Sequence, residues 1–267
     1  MPELSIISVF LGLFIGLILA LTGAGGSIFA IPLLVFGLNL SITQAAPIAL
    51  LAVMSAASVG AIQGLQQGIV RYKAAMLISA FGLALAPLGV WLAKHAPMQL
   101  LSFTFAIALI YVAARMWLQS AENEQLIAIK TDSTCAINPA TSKLFWTASC
   151  TKTLAFTGAI AGLLSGLLGV GGGFVIVPSL RKVSNFDTQT IIATSLAVIA
   201  LVSAGSLALY LLQGEIQWQI TMPFVASTMF GMFAFRRISH KIPAPLSQRS
   251  FALLALVAAL MLIIKSL

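Results

Sequence analysis

Long apolar segments follow one another along this chain near 5–22, 43–66, 72–93, 98–118, 153–169, 188–212, 217–236 and 247–264, and none of them contains Asp or Glu. Each has about the 17–25 residues that an α-helix needs to cross a hydrocarbon layer roughly 30 Å thick. A chain built this way has lipid for a solvent. Its composition agrees: 60% of the 267 residues are hydrophobic and 7% are charged, whereas an ordinary soluble domain carries about 25% charged residues. The expected fold class is an all-α integral membrane protein, because a helix satisfies its own backbone where no water can do so.

The two halves repeat each other. A shift of 146 positions, with no gap, lays Gly12 on Gly158 and Gly16 on Gly162. Gly23, Gly25 and Gly26 fall on Gly169, Gly171 and Gly172, and Pro32 falls on Pro178. Farther on, Gln67-Gly68 falls on Gln213-Gly214, Pro97 on Pro243 and Phe105 on Phe251. One register kept across a hundred residues marks a duplicated unit, a common construction of transporters. The expected organisation is a first membrane repeat over 1–118, a polar connecting segment over 119–152 and a second membrane repeat over 153–267.

The basic residues say how the repeats are oriented. The loop near 39–42 has none, while its equivalent near 181–187 has Arg181 and Lys182. Arg71 and Lys73 sit near 67–73, while the equivalent loop near 213–219 has only Glu215. Lys94 faces Arg236, Arg237 and Lys241 in the same comparison. The bias reverses at every loop, so the positive-inside rule places equivalent loops on opposite sides. Two inverted-topology repeats follow, with 119–152 in the cytoplasm and both termini outside. The formal charge of +8 is then a consequence of topology and does not imply nucleic acid.

The segment "GLLSGLLGVGGGFVIVP" (162–178) has six glycines and no charge. The second half leaves the cytoplasm near Lys152 and is back by Arg181. That is about thirty residues, too few for two full spans of about twenty each. The piece is a re-entrant hairpin, or a span followed by a partial one, and the turn "GVGGGF" lies inside the membrane. The expected count is about eight long transmembrane helices plus two short glycine-broken ones. Irregular backbone at that depth must be buried in protein or face a water-filled cavity. Glycine makes such a turn sterically possible, and the amides opening the following half-helix carry positive partial charge. Two such turns, Gly23–Ser27 and Gly169–Gly173, would meet about a pseudo-two-fold axis and form an anion site built mainly from backbone. Pro32 and Pro178 bias the residue before them away from helix, so the second arm is expected to begin extended. Gly12, Gly16, Gly158, Gly162 and Gly166, spaced by four, read instead as helix-packing faces.

The polar residues inside the spans are neutral. Ser55 and Ser58 share a helix face, as do Ser203 and Ser206, and such faces either line a path or bond their own helix. Thr194-Ser195 is the preferred pair of side-chain donors, since it would start the helix after the glycine hairpin; Gln44 is a third. No Asp, Glu or His is central in a long span, so a proton relay or a carboxylate cation site is disfavoured. His95 and His240 lie in matching loops. Arg115 is the deepest cation, snorkelling to the surface or drawing anions. Cys135 and Cys150 lack metal-ligand spacing and read as ordinary loop thiols, reduced in the cytoplasm. With no nucleophile, base or metal cluster, an enzyme is not expected. A membrane scaffold docking a partner on 119–152 is the alternative, and a metal or other cation transporter lacks its ligands here.

The paired motifs "LTGAGGSIFAIPLL" and "LLGVGGGFVIVPSL", the later "ATSLAV", and the Gln-Gly closing each long helix resemble the sulfite exporter TauE/SafE family. The resemblance covers almost the whole chain. It implies a bacterial inner-membrane permease for small sulfur-containing anions such as sulfite or sulfoacetate. The first motif departs from the second at Ser27, where the second has Gly173, and "AAPIALLA" stands where the second half has "IIATSLAV".

The expected function is therefore export or permeation of a small anion, with alternating access by opposed rocking of the two repeats. The candidate substrate-binding residues are Gly23, Gly25, Gly26, Ser27, Gln44, Gly169, Gly171, Gly172, Gly173, Thr194 and Ser195. No catalytic residue, metal or cofactor is expected. The partners are the anion, the lipid bilayer and, as an allowed case, a second copy of the chain. Gly172→Val is expected to block transport and leave expression intact.

Overall fold

The structure, a computed structural model, describes residues 2–22, 26–121, 135, 147–184, 186–212, 216–239 and 244–266. Apart from one bridge between Cys135 and Ser184, the regular structure among them is helical. In chain order the helices are α1 (Pro2–Thr22), α2 (Gly26–Gly37), α3 (Ile42–Gln66), α4 (Tyr72–His95), α5 (Met98–Ala121), α6 (Ala148–Leu168), α7 (Gly173–Val183), α8 (Thr188–Leu211), α9 (Trp218–Ser239) and α10 (Ala244–Ser266). The 146-residue shift carries α1 onto α6 and α3 onto α8 to within one residue at each end.

Among the described residues, five helices are long and apolar enough to cross a membrane: Ile42–Gln66, Tyr72–His95, Gln99–Leu118, Ala148–Leu168 and Thr188–Leu211. Shorter apolar helical runs are Ile6–Leu21, Gly26–Gly37 and Ala252–Ile264. The outer surface is dominated by large apolar side chains such as Phe10, Trp91, Ile107, Phe156 and Phe230, the groups that acyl chains solvate. The buried polar residues are all Ser or Thr among the described residues.

The main pairings cross between the halves. α4 packs on α6, α1 on α9, α5 on α10 and α3 on α8. The glycine faces are the reason. A β-carbon at Gly158 would strike the Ile78 carbonyl, one at Gly162 the Gly82 carbonyl, and one at Gly166 the Ala86 carbonyl. The constant offset means that α4 and α6 run parallel with their backbones in contact. Gly12 and Gly16 do the same for α1 against Phe224 and Thr228 of α9. These five glycines are thus packing residues, as their spacing indicates. In contrast, α3 and α8 run antiparallel: Gly64 lies on Ala193, whereas Val53 and Ile199 meet at Gly171.

Local signals set the helix ends. Ser41 and Gln44 form a capping box at α3. The Asp187 carboxylate accepts from the Gln189 amide at 3.1 Å and caps α8. One end of the bundle gathers three connections. The Arg71 backbone amide donates to Thr194 Oγ1 at 3.1 Å, and its guanidinium lies 5.8 Å from the Phe186 ring. Cys135 N donates to the Val183 carbonyl at 2.9 Å, tying the central segment to the end of α7.

The expectation of two reduced loop thiols is corrected here. Cys135 and Cys150 form a disulfide with a Cα–Cα separation of 5.1 Å, and both are fully buried. Spacing alone did not show the pair because it depends on Cys135 folding back over the first turn of α6. His95 keeps its ordinary reading: it is exposed and donates from Nδ1 to the Trp91 carbonyl at 2.8 Å. Denatured without reductant, the protein is expected to take up no maleimide-polyethylene glycol on a gel, and two adducts after reduction. Two adducts before reduction would show the cysteines to be free.

Candidate functional site

α6 is 21 residues long, about 31 Å at 1.5 Å per residue. α7, with 11 residues, covers about half that length. The second glycine arm is thus a full-length helix followed by a partial one. Between them the backbone turns through three left-handed glycines, Gly169 at φ 66°, Gly171 at φ 75° and Gly172 at φ 69°. Side chains with a β-carbon rarely adopt that conformation. Gly169 closes α6, its amide donating to the Ser165 carbonyl at 2.9 Å. Every residue from Leu168 to Phe174 is buried, as irregular backbone in a membrane protein must be.

Four elements wall this turn. A β-carbon at Gly169 would lie 2.6 Å from that of Ala46 in α3 and 3.1 Å from Ile31 of α2. One at Gly171 would lie 2.5 Å from Ser203 Oγ, 3.2 Å from Ile199 of α8 and 3.3 Å from Val53 of α3. One at Gly172 would strike the Ala161 carbonyl. α7 begins without a side-chain cap. The Val175 amide bonds the Gly172 carbonyl at 3.1 Å, while the amides of Gly173 and Phe174 open the helix with no intrahelical acceptor.

The expectation of an extended start to this arm is corrected. The helix begins at Gly173, and Pro178 lies inside it, as Pro32 lies inside α2. The proline costs the Phe174 carbonyl its intrahelical partner, but the helix and its aligned dipoles survive from the first residue. Arg115 of α5 lines a small cavity with Phe174 and Pro178, so this cation lies against the second arm.

The other expected site residues divide. Gly23 and Gly25 lie outside the described residues. Gly26 and Ser27 are fully buried at the start of α2, where a β-carbon on Gly26 would lie 2.5 Å from the Leu19 amide nitrogen. α2 and α7 touch each other. Gln44 is exposed, and its Oε1 accepts from the Ser41 amide at 3.1 Å; its amide serves the start of α3. Thr194 and Ser195 do not begin a helix, because α8 starts at Thr188. Both are buried. Thr194 accepts from Arg71, and Ser195 Oγ donates to the Ile192 carbonyl at 2.9 Å. Ser55 and Ser58 likewise bond their own helix, through Leu51 and Met54.

Different hydroxyls reach the turn. Ser203 is the polar side chain at Gly171. One turn on, Ser206 Oγ and Ser165 Oγ share a hydrogen bond of 3.1 Å, and Tyr210 donates to the Gly166 carbonyl at 2.9 Å. The 203/206 spacing was the signal for this face, but spacing did not tell which serine faces the glycines. No cluster of His, Cys, Asp or Glu able to hold a metal occurs among the described residues.

Residues 8–262 match the sulfite exporter TauE/SafE family. The chain belongs to this family. A probable membrane transporter protein, YdhB, of Bacillus subtilis (strain 168) is 24% identical over 93% of the chain and 96% of its own length. A probable membrane transporter protein of Xylella fastidiosa (strain 9a5c) is 25% identical over 98% and 95%. No solved structure matches the chain. This TauE/SafE protein is therefore a multi-pass helical membrane transporter.

The buried turn also revises a test. Gly172→Val would place a β-branched side chain at φ 69° against the Ala161 carbonyl. The backbone strain costs about 1–3 kcal/mol, and crowding adds about as much. The variant is expected to lose folded, monodisperse protein in detergent, measured by fluorescence-detected size exclusion. Wild-type yield and melting temperature would contradict the tight turn.

Proposed function

We propose that this TauE/SafE protein is a permease of small anions, of the class of sulfur oxyanions and organosulfonates, acting as an exporter. The observation that carries the reading is the uncapped start of α7 behind three left-handed glycines, buried in the protein. Backbone amides there offer positive partial charge, the Arg115 cation lines a cavity with Phe174 beside them, and transporters use such half-helix ends near the midplane to hold anionic groups. The family's description supplies the sulfur chemistry.

The inverted-repeat reading is supported by the matching helix bounds and by the antiparallel course of the equivalent helices α3 and α8. On this reading eight long helices span the bilayer and α2 and α7 are partial. Opposed rocking of whole halves fits poorly with backbone-to-backbone contacts of α4 with α6 and of α1 with α9. Alternating access would instead move groups that mix helices from both halves, parting along the α3–α8 seam where the turn lies.

The connections holding Arg71, Lys73, Arg181 and Lys182 favour the bacterial cytoplasm for that end of the bundle, and Cys135 lies with them, bonded to Val183. The disulfide sits at the same end. Cytosolic thiols are generally kept reduced, whereas this pair is bonded and buried. The basic bias recurs over several connections and supports the assignment.

Proteoliposomes holding the purified protein are expected to take up labelled sulfite or sulfoacetate saturably, above empty liposomes. Imposing a pH gradient then tells whether a proton moves with the anion. No uptake of either, from folded protein, would remove the substrate class.

A further inference from the structure

Among the described residues two buried hydroxyls lack a partner, Ser79 of α4 and Ser203 of α8, and Ser203 is the one that lies at the glycine turn. It is 0% exposed, and its Oγ has no hydrogen-bond partner. Serines and threonines inside the other helices mostly donate to the carbonyl four residues back, as Ser55, Ser58, Thr157 and Thr221 do. Ser203 does not. A buried hydroxyl left unpaired costs about 1–3 kcal/mol, and such a group calls for a specific explanation.

Its position supplies one. Ser203 Oγ lies where a β-carbon of Gly171 would point, at 2.5 Å from it, beside the uncapped start of α7. The side chains nearest there, those of Ile199 and Val53, are apolar, and the hydroxyl does not take the Ile199 carbonyl four residues back. The next hydroxyls along this face, Ser206 and Tyr210, are bonded to α6. Only one of the two halves carries this arrangement. The shift of 146 puts Ala57 in the place of Ser203, Gly60 in that of Ser206, Gly64 in that of Tyr210 and Leu19 in that of Ser165.

We propose that Ser203 is the side-chain donor to the transported anion, and that the second glycine turn is the working half of a duplicated site. The inference rests on the anion-permease reading and sharpens it. The hydroxyl and the α7 amides form a neutral hydrogen-bonding set, suited to an oxyanion that presents several acceptor oxygens to separate donors. In the conformation described, Ser203, Ile199 and Val53 close over Gly171, so binding requires the turn and α8 to part. The unpaired hydroxyl makes the closed, unloaded state the less stable one.

The test compares wild type with Ser203→Ala, Ser203→Cys and Ala57→Ser. Two readouts are taken: KM for labelled sulfite and sulfoacetate in proteoliposomes, and the melting temperature with and without each anion. A hydrogen bond to a charged group is worth about 1.5–3 kcal/mol, so Ser203→Ala is expected to raise KM about 10- to 100-fold. Its melting temperature without anion should equal or exceed that of wild type, since an unpaired group is gone. Anion-induced stabilisation should shrink with it. Ser203→Cys, a weaker donor of similar volume, should fall between, and Ala57→Ser should leave KM unchanged. Saturable wild-type uptake with an unaltered KM in Ser203→Ala would overturn the assignment and leave the permease standing. Anion stabilisation of wild type that Ser203→Ala loses, without transport, would uphold the binding residue and remove the permease. Neither uptake nor stabilisation of wild type would overturn both.

Discussion

Hydrocarbon offers no hydrogen bonds, and that constraint governs this molecule. A chain that breaks a helix inside a bilayer must hide the break in protein. The turn at 169–172 is hidden by α2, α3, α6 and α8 at once. Those neighbours can come so close because the residues facing the turn are small or apolar, and because the turn itself carries a single side chain, that of Val170. The glycine run and its apolar surroundings are therefore one solution. A polar environment would have solvated the turn, but it would also have left the α7 amides with nothing to attract.

Much of this was legible in the sequence. The duplication located the helices: α1 shifted by 146 positions spans 148–168, the bounds of α6. The four-residue glycine spacing identified packing faces because a helix presents i and i+4 on one side. What was not legible depended on tertiary proximity. Gln44 looked like an intramembrane donor and is a helix cap, since capping boxes also require Gln three residues after Ser. Thr194 is engaged by the backbone of Arg71, a residue 123 positions away. Periodicity put Ser203 and Ser206 on one face, but it did not tell which was satisfied. The disulfide joins two residues 15 apart through a fold-back that no local pattern encodes.

Duplication normally suggests two equivalent sites, yet the chemistry has drifted apart. The scaffold roles are kept in both halves: tandem glycines, a proline within each short helix, and a long helix packed across to the other half. The hydroxyls are not. α8 carries Ser203, Ser206 and Tyr210, while α3 carries Ala57, Gly60 and Gly64 in their places. Small apolar residues at the α3 positions let the two long helices approach. Such a division leaves one half free to specialise in contact and the other in fit.

The crossed pairing of helices also has a consequence for synthesis. The glycine face of α1 is complemented by α9, which begins about 200 residues later. At 5–20 residues per second that is a wait of about ten to forty seconds. Through that interval α1 sits in the bilayer with its close-packing face against lipid, and α4 waits likewise for α6. The first half packs α1, α2 and α3 on one another, but its glycine faces stay open until the second half arrives. A ribosome stalled in the central segment would leave a set of loosely associated helices, open to membrane proteases, and not a smaller transporter.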